Sequence, residues 1–254
     1  MRITTIGTGT AAPSPARVQS ATLVESGDLR LLIDCGSGAV FRMAQLGLDW
    51  RAITHVALTH FHADHTEDIA NLLYAWRYGT LPPRSEAVVL IGPPGTDALV
   101  DHMASAFGAN LRETVPLTVS EMECGGDMEL ASGVLLSSRK VPHTDESVAY
   151  SVSSSGRRVV LSGDTGFDRT LGEWSAGSDL FLLECSLPDE LAIPTHLTPR
   201  QCGELAALAR PGLLVLNHFY PPVEAIDIVA QIRERYDGDV VLSHDGWWVD
   251  LEET

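Results

Sequence analysis

The sequence predicts an α/β protein made of two similar α/β halves packed as one domain. Three observations carry that expectation. Short β-type runs open the chain and recur in its last third, segments of helical period follow each set, and no linker-like or low-complexity stretch divides the 254 residues. Strands followed by helices, twice over, fit a layered α/β domain spanning 1–254. At this length a chain that is 44% hydrophobic can bury a sizeable core.

The elements follow in order. Residues 3–6, 21–24, 29–33 and 56–59 read as strands, being short runs rich in Ile, Val, Leu and Thr. Gly27 and Asp28 suit a hairpin turn between the second and third. Residues 38–47 read as a helix ended by Gly47. Ile69, Leu72, Leu73 and Trp76 recur at helical spacing, and that helix stops near Gly79, before Pro82 and Pro83. A strand at 87–91 then enters a Gly-Pro-Pro-Gly turn at 92–95 and a helix at 96–108. Further strands fit 134–140, 147–153 and 158–162. In the last third, 180–184 and 213–217 read as buried strands and 199–209 and 223–236 as helices, with strands at 240–242 and 247–251 closing the chain.

Charge narrows the partners. The formal net charge is −17, and Lys140 is the only lysine. An acidic surface repels a polyanion, because long nucleic acids are bound mainly through phosphate contacts to Lys and Arg. Nucleic acid is therefore disfavoured, the best local basic candidates being Arg139-Lys140 and Arg157-Arg158. No apolar run reaches the roughly 18 residues that span a bilayer, so no membrane partner is expected. The N-terminal segment alternates like a strand and has no basic region followed by an apolar one, which points to a cytoplasmic protein. Cys35, Cys124, Cys185 and Cys202 form no CxxC pair and read as free thiols. The sequence does not fix the oligomeric state and leaves a homodimer open.

Gly7-Thr8-Gly9-Thr10-Ala11-Ala12 matches a dinucleotide-binding G-x-G-x-x-A, and Asp34 lies about 20 residues on, where a ribose-binding acid belongs. That motif needs a helix N-terminus for the pyrophosphate, and Pro13 and Pro15 follow here with no helical period behind them. The segment reads as a tight turn whose glycines allow close backbone approach.

The chemistry concentrates elsewhere. Three of the nine histidines fall within residues 60–65, in His60-Phe61-His62-Ala63-Asp64-His65, directly after a strand. Imidazole nitrogen suits zinc, iron and similar metals, and a carboxylate can serve a second ion. His143, Asp164 and His218 each follow a strand end as well, the placement expected of ligands converging on one edge of a sheet. Seven ligand candidates exceed one tetrahedral site. Asp34 ends an apolar strand and is placed to accept the second N–H of a ligating imidazole, with Thr59 and Ser162 as similar candidates. His55, His102 and His244 read as non-ligands. Glu184 ends an apolar strand, where an unpaired carboxylate is costly, so it calls for a partner.

The H-x-H-x-D-H segment, with a distant His, Asp and final His, resembles the metallo-β-lactamase superfamily. The segments Ile6-Gly-Thr-Gly, Leu32-Ile-Asp-Cys-Gly, Ile91-Gly-Pro-Pro-Gly, Ser162-Gly-Asp-Thr, Leu183-Glu-Cys-Ser, Thr195-His-Leu-Thr and Asn217-His-Phe make it most similar to the ribonuclease Z and related phosphodiesterase branch. The resemblance implies a four-layer αββα sandwich and two divalent metal ions, zinc first, with manganese or iron as alternatives. It implies that His60, His62 and His143 hold one ion, that Asp64, His65 and His218 hold the other, and that Asp164 bridges them. It also implies a hydroxide between the ions as nucleophile, oriented by Asp64, and a Glu184–His196 pair near the leaving group.

Members that process the 3′ end of transfer RNA carry a long basic arm, in many between the positions matching His143 and Asp164. Here Asp164 follows His143 by only 21 residues. The expectation is a metal-dependent phosphodiesterase acting on a small phosphodiester. A transfer-RNA endoribonuclease, a lactonase or other carboxylic-ester hydrolase, and a non-catalytic binding module are its rivals. The catalytic candidates are Asp64, Glu184 and His196.

Overall fold

The structure, a computed structural model, describes residues 1–252. Two seven-stranded sheets face each other. The first is built from β1 (Arg2–Gly7), β2 (Ala21–Ser26), β3 (Leu29–Ile33), β4 (His55–Ala57), β5 (Val88–Gly92) and β6 (Leu117–Glu121), with β14 (Trp247–Asp250) on the edge beside β1. The second holds β7 (Asp127–Ala131), β8 (Val134–Lys140), β9 (Val148–Ser154), β10 (Arg157–Leu161), β11 (Leu180–Glu184), β12 (Leu213–Asn217) and β13 (Val240–Leu242). From β14 to β6 the pairings run antiparallel three times and then parallel three times. From β7 to β13 the same order recurs. The two similar halves expected from the sequence are thus a repeat of topology.

Strand alternation makes the layers. Leu29, Leu31 and Ile33 of β3 and Leu180 and Leu182 of β11 point into a core shared by the two sheets. Their alternates, Leu32 and then Phe181 and Leu183, face outward into two further cores. On the first sheet that outer core is covered by α1 (Ala39–Gln45), α3 (Ile69–Tyr78) and α4 (Thr96–Phe107). On the second it is covered by α5 (Arg169–Trp174), α6 (Pro199–Ala209) and α8 (Ile228–Arg233). Three apolar interfaces separate four layers, helix on sheet on sheet on helix, as expected. Among the described residues no helix is long and apolar enough to cross a membrane.

Several elements differ from expectation. β6 and β7 were not legible: LTVSE and DMELA are mixed in polarity, and both lie on sheet edges. The six-residue α5, capped by the Asp168 side chain, is too short to show a helical period. The single helix expected over 223–236 is two, α7 (Pro221–Glu224) and α8, because Asp227 accepts from Ala230 N at 2.9 Å and starts a new helix. The strand expected at 56–59 leaves its ladder after Ala57. Beyond it, Thr59 O accepts from Val148 N of the facing sheet at 3.0 Å, and Leu58 O accepts from the Tyr150 hydroxyl at 2.8 Å. The chain crosses between the sheets just before His60.

Gly7 and Gly9 allow the close approach expected of them. A Cβ on Gly7 would lie 1.8 Å from Gln19 O, and no helix begins before residue 39, so no helix N-terminus meets this turn.

Candidate metal centre

The site lies where strands of both sheets end. The end of β4 delivers His60, and α2 (Ala63–Thr66), one turn long, delivers Asp64 and His65. The loop after β8 carries His143, and the ends of β10, β11 and β12 carry Asp164, Glu184 and His218. Ligands in open α/β sheets gather in this way outside the carboxyl ends of strands.

Each buried imidazole is fixed through its far nitrogen. Asp34 Oδ2 lies 2.7 Å from His65 Nδ1, and Asp34 also accepts from Thr59 N at 2.8 Å and Thr59 Oγ1 at 2.9 Å. Thr59 Oγ1 is in turn 3.0 Å from His60 Nδ1, so one carboxylate orients two imidazoles. His143 Nδ1 lies 2.9 Å from Thr195 O, and His218 Nδ1 lies 3.0 Å from Ser186 Oγ. Asp34 and His218 have φ of 59°, a left-handed conformation uncommon outside glycine, and at both the turn aims the side chain into the site.

These contacts leave the inward nitrogens of His60, His65 and His218 free, while His143 Nε2 lies 3.0 Å from His62 Nδ1. His60, His62, His143 and Asp164 bring one atom each within 4.8 Å of one another, and so do Asp64, His65, Asp164 and His218. Asp164 belongs to both groups through different oxygens. Its Oδ1 lies 3.2 Å from both His65 Nε2 and His218 Nε2, while its Oδ2 lies 3.7 Å from His143 Nε2 and 3.9 Å from His60 Nε2. His60 Nε2, His65 Nε2, His218 Nε2 and Asp164 Oδ1 are buried without a hydrogen-bond partner among the described residues. Four such atoms turned toward one centre would each carry a desolvation cost unless something binds them. Convergent imidazole and carboxylate donors fit a pair of divalent cations.

The electrostatics agree. Burial, aided by the His65 charge, pushes His60 down to about 2, so its imidazole is neutral, the form that ligates. Burial opposes ionisation of Asp64, yet its hydrogen bond to His218 and the nearby imidazoles bring it to about 2. Burial also opposes charge on His65, but Asp164 and Asp34 outweigh it and hold His65 well above the ordinary range. A cation would take over the compensation that this proton provides.

Beside the two groups, Glu184 Oε1 lies 2.9 Å from His196 Nδ1. The Glu184 carboxylate also accepts from Thr165 N at 2.7 Å, from Leu197 N at 3.2 Å and from the Ser186 hydroxyl. Burial lowers His196, but the hydrogen bond and charge of Glu184 prevail and raise it to about 9. The His196 ring stacks on His218 at 5.7 Å between centroids and lies 4.9 Å from His143. Glu184 has the partner its burial demands.

All the candidate residues named from the sequence meet here. His55, His102 and His244 belong to no such group among the described residues. Ser162 touches no imidazole; its hydroxyl accepts from Glu184 N at 3.0 Å and so steadies that strand end. The sequence reading missed Ser186, which joins Glu184 to His218, and Tyr220, whose ring lies 5.9 Å from His196 and 6.0 Å from His218. The only signal for either was its position within two residues of a site residue. The basic candidates are engaged internally: Arg157 pairs with Asp179, Arg158 and Arg139 bond Trp174 O and Thr170, and Lys140 donates to Thr144 O and Asp145 O. Residues 144–163 form a turn and the β9–β10 hairpin, with no arm.

The fold and the metal-binding geometry define a class, and comparison with known proteins agrees with it. Residues 29–219 match the family model described as a β-lactamase superfamily domain. The ribonuclease Z of Mycobacterium sp. (strain KMS) is 31% identical over 248 residues, covering 88% of this chain and 85% of that protein. The ribonuclease Z of Mycolicibacterium gilvum (strain PYR-GCK) is 28% identical over 273 residues, covering 96% and 94%. Among solved structures, the metallo-β-lactamase fold protein YhfI from Bacillus subtilis superposes with a TM-score of 0.86 at 20% identity, covering 98% of each chain. The short form of human tRNase Z superposes with a TM-score of 0.81 at 22% identity, covering 99% of this chain and 100% of that one. The chain belongs to the metallo-β-lactamase superfamily and is a hydrolase of that fold, similar to proteins named ribonuclease Z.

Proposed function

We propose that this protein hydrolyses a small phosphodiester with two divalent cations, zinc first, held by the seven converging residues. In this reading His60, His62 and His143 hold one cation, Asp64, His65 and His218 the other, and Asp164 both. Two cations bound there would lower the pKa of a water between them and neutralise charge on the attacked phosphorus. The observation that carries the phosphodiester reading is the Glu184–His196 pair. With Nδ1 held by Glu184 Oε1, His196 lies beside the centre, its ring stacked on His218, and stays cationic at neutral pH. That charge steadies a phosphoryl oxygen, and the Nε2 proton is available to the departing ester oxygen. The ionised Asp64 carboxylate is placed to accept a hydrogen bond from the attacking water and orient it. A lactone presents no anionic phosphoryl centre for the His196 cation to hold.

Transfer-RNA processing is the second reading, favoured by the names of the relatives. The absence of an arm over 144–163 and the net charge of −17 weigh against it. A panel of bis(p-nitrophenyl) phosphate, cyclic nucleotides, a lactone and a precursor transfer RNA separates these readings. Turnover of the small phosphodiesters is expected, with little on the others. Site-specific cleavage of the precursor at physiological salt would overturn the proposal in favour of the second reading.

Elemental analysis after metal saturation should find two equivalents per chain. The Asp34→Asn variant keeps the shape of the side chain and a residue that tolerates positive φ. It removes the charge that orients His65 and, through Thr59, His60. Metal affinity should fall about 10–100-fold, as for other partners of ligating histidines. Unchanged affinity in a competition with a chelator would refute that role.

A further inference from the structure

A pocket of about 410 Å³ opens beside the first ligand group and shares no residue with the Glu184–His196 pair. Phe61, between the ligand candidates His60 and His62, forms one wall with Pro93 and Pro94. The wall depends on a glycine: Gly95 has φ of 105°, and a Cβ there would meet Phe61 Cε2 at 3.0 Å. The rest of the lining is largely acidic, with Glu123, Asp145 and Glu146. Among the described residues none of these three carboxylates forms a salt bridge. Lys140 also borders the pocket, but its ammonium is drawn to the Thr144 and Asp145 carbonyls of its own turn at 2.5 and 2.7 Å.

We infer that this pocket is the subsite for the ester substituent that stays on phosphorus, and that it takes a flat, uncharged group while rejecting one that carries a further phosphate. The inference rests on the phosphodiester reading above and deepens it. With its leaving oxygen toward His196, a phosphoryl group between the two ligand groups would turn its other ester oxygen to the side bordered by Phe61, between His60 and His62. Asp145 and Glu146 lie two and three residues beyond His143, so the pocket adjoins the side of the centre that His143 borders. The volume lies within the usual range for small-molecule sites, about 300–1,000 Å³. An aromatic ring flanked by two prolines offers a stacking face for an aryl or nucleobase ring. Three unpaired carboxylates against one cation make a second phosphate unfavourable there.

The test uses metal-loaded protein and esters that share the p-nitrophenolate leaving group. The substituents are methyl, thymidine 5′, and thymidine 5′ bearing a 3′-phosphate. The thymidine ester should exceed the methyl ester in kcat/KM by about tenfold, the scale of one base stacked on an aromatic ring. The 3′-phosphate should cancel most of that gain. Phe61→Leu should bring the thymidine ester down to the methyl ester without slowing the latter, and Glu123→Gln combined with Glu146→Gln should restore the 3′-phosphorylated ester.

Cys124 supplies a readout independent of catalysis, because it lines the pocket and is exposed while Cys35, Cys185 and Cys202 are buried. Thymidine 5′-phosphate should slow its alkylation by iodoacetamide, and methyl phosphate should not. Hydrolysis of all three esters at one rate, with Cys124 unprotected, would overturn the subsite. Protection of Cys124 without hydrolysis of any ester would uphold the subsite and overturn the phosphodiesterase reading.

Discussion

Replacing Asp164 by alanine is expected to abolish measurable turnover and to strip the centre of at least one cation while the fold persists. Asp164 is the one side chain common to both ligand groups, with Oδ1 at 3.2 Å from His65 and His218 and Oδ2 turned toward His60 and His143. Without it, five imidazoles would face the cations with Asp64 as the only carboxylate among the proposed ligands. Turnover should fall by more than about 10³-fold, beyond the loss of a single electrostatic donor. Asp164 lies in the loop beyond β10 and takes part in no strand pairing, so far-UV circular dichroism should remain that of the wild type. Asp164→Asn, which keeps the shape and one acceptor oxygen, should lie between the two. A variant with alanine that retains two equivalents of metal and near wild-type turnover would exclude the bridging role.

The second large effect is expected at His196, and its signature is a dependence on the leaving group. His196→Ala should lower turnover by about 10²–10⁴-fold, the span of a positioned general acid, with metal content unchanged. The loss should shrink for p-nitrophenyl esters, whose leaving group needs little protonation, and grow for alkyl esters. The pH dependence has a definite sign. Burial lowers His196 but Glu184 raises it to about 9, so the imidazolium is present below that value and lost above it. Turnover of an alkyl ester should therefore decline as pH rises through about 9 in the wild type, and the decline should be absent in His196→Ala. Loss of a metal, or an equal loss of rate for every leaving group, would assign His196 to the centre itself instead.

The parts of this molecule that were legible in the sequence are those encoded by neighbouring residues. The strands carrying Leu29, Leu31, Leu180 and Leu182 announce themselves as short apolar runs, and α3 through the spacing of Ile69, Leu72, Leu73 and Trp76. His60, His62, Asp64 and His65 stand out because four candidate ligands fall within six residues, and His143, Asp164 and His218 because each follows a strand. Asp34 was legible for the same reason. The edge strands β6 and β7 were not, since an edge strand half-open to solvent needs no apolar alternation. The break at Asp227 was not, since a cap inside a helical period looks like part of the helix.

What the sequence by itself determined is the class of fold and the candidate ligand residues, with the strand ends that carry them. Only the tertiary structure decided the distances. Asp164 turns one oxygen to each ligand group, Ser186 joins Glu184 to His218, and Phe61 meets Pro93, Pro94 and the three carboxylates in one pocket. The reason is physical. Residue type and local period act over a few neighbours in the chain. The approach of residues 60, 143, 164 and 218 is set by the pairing of strands far apart in sequence and the packing of one sheet on the other, which no local pattern records.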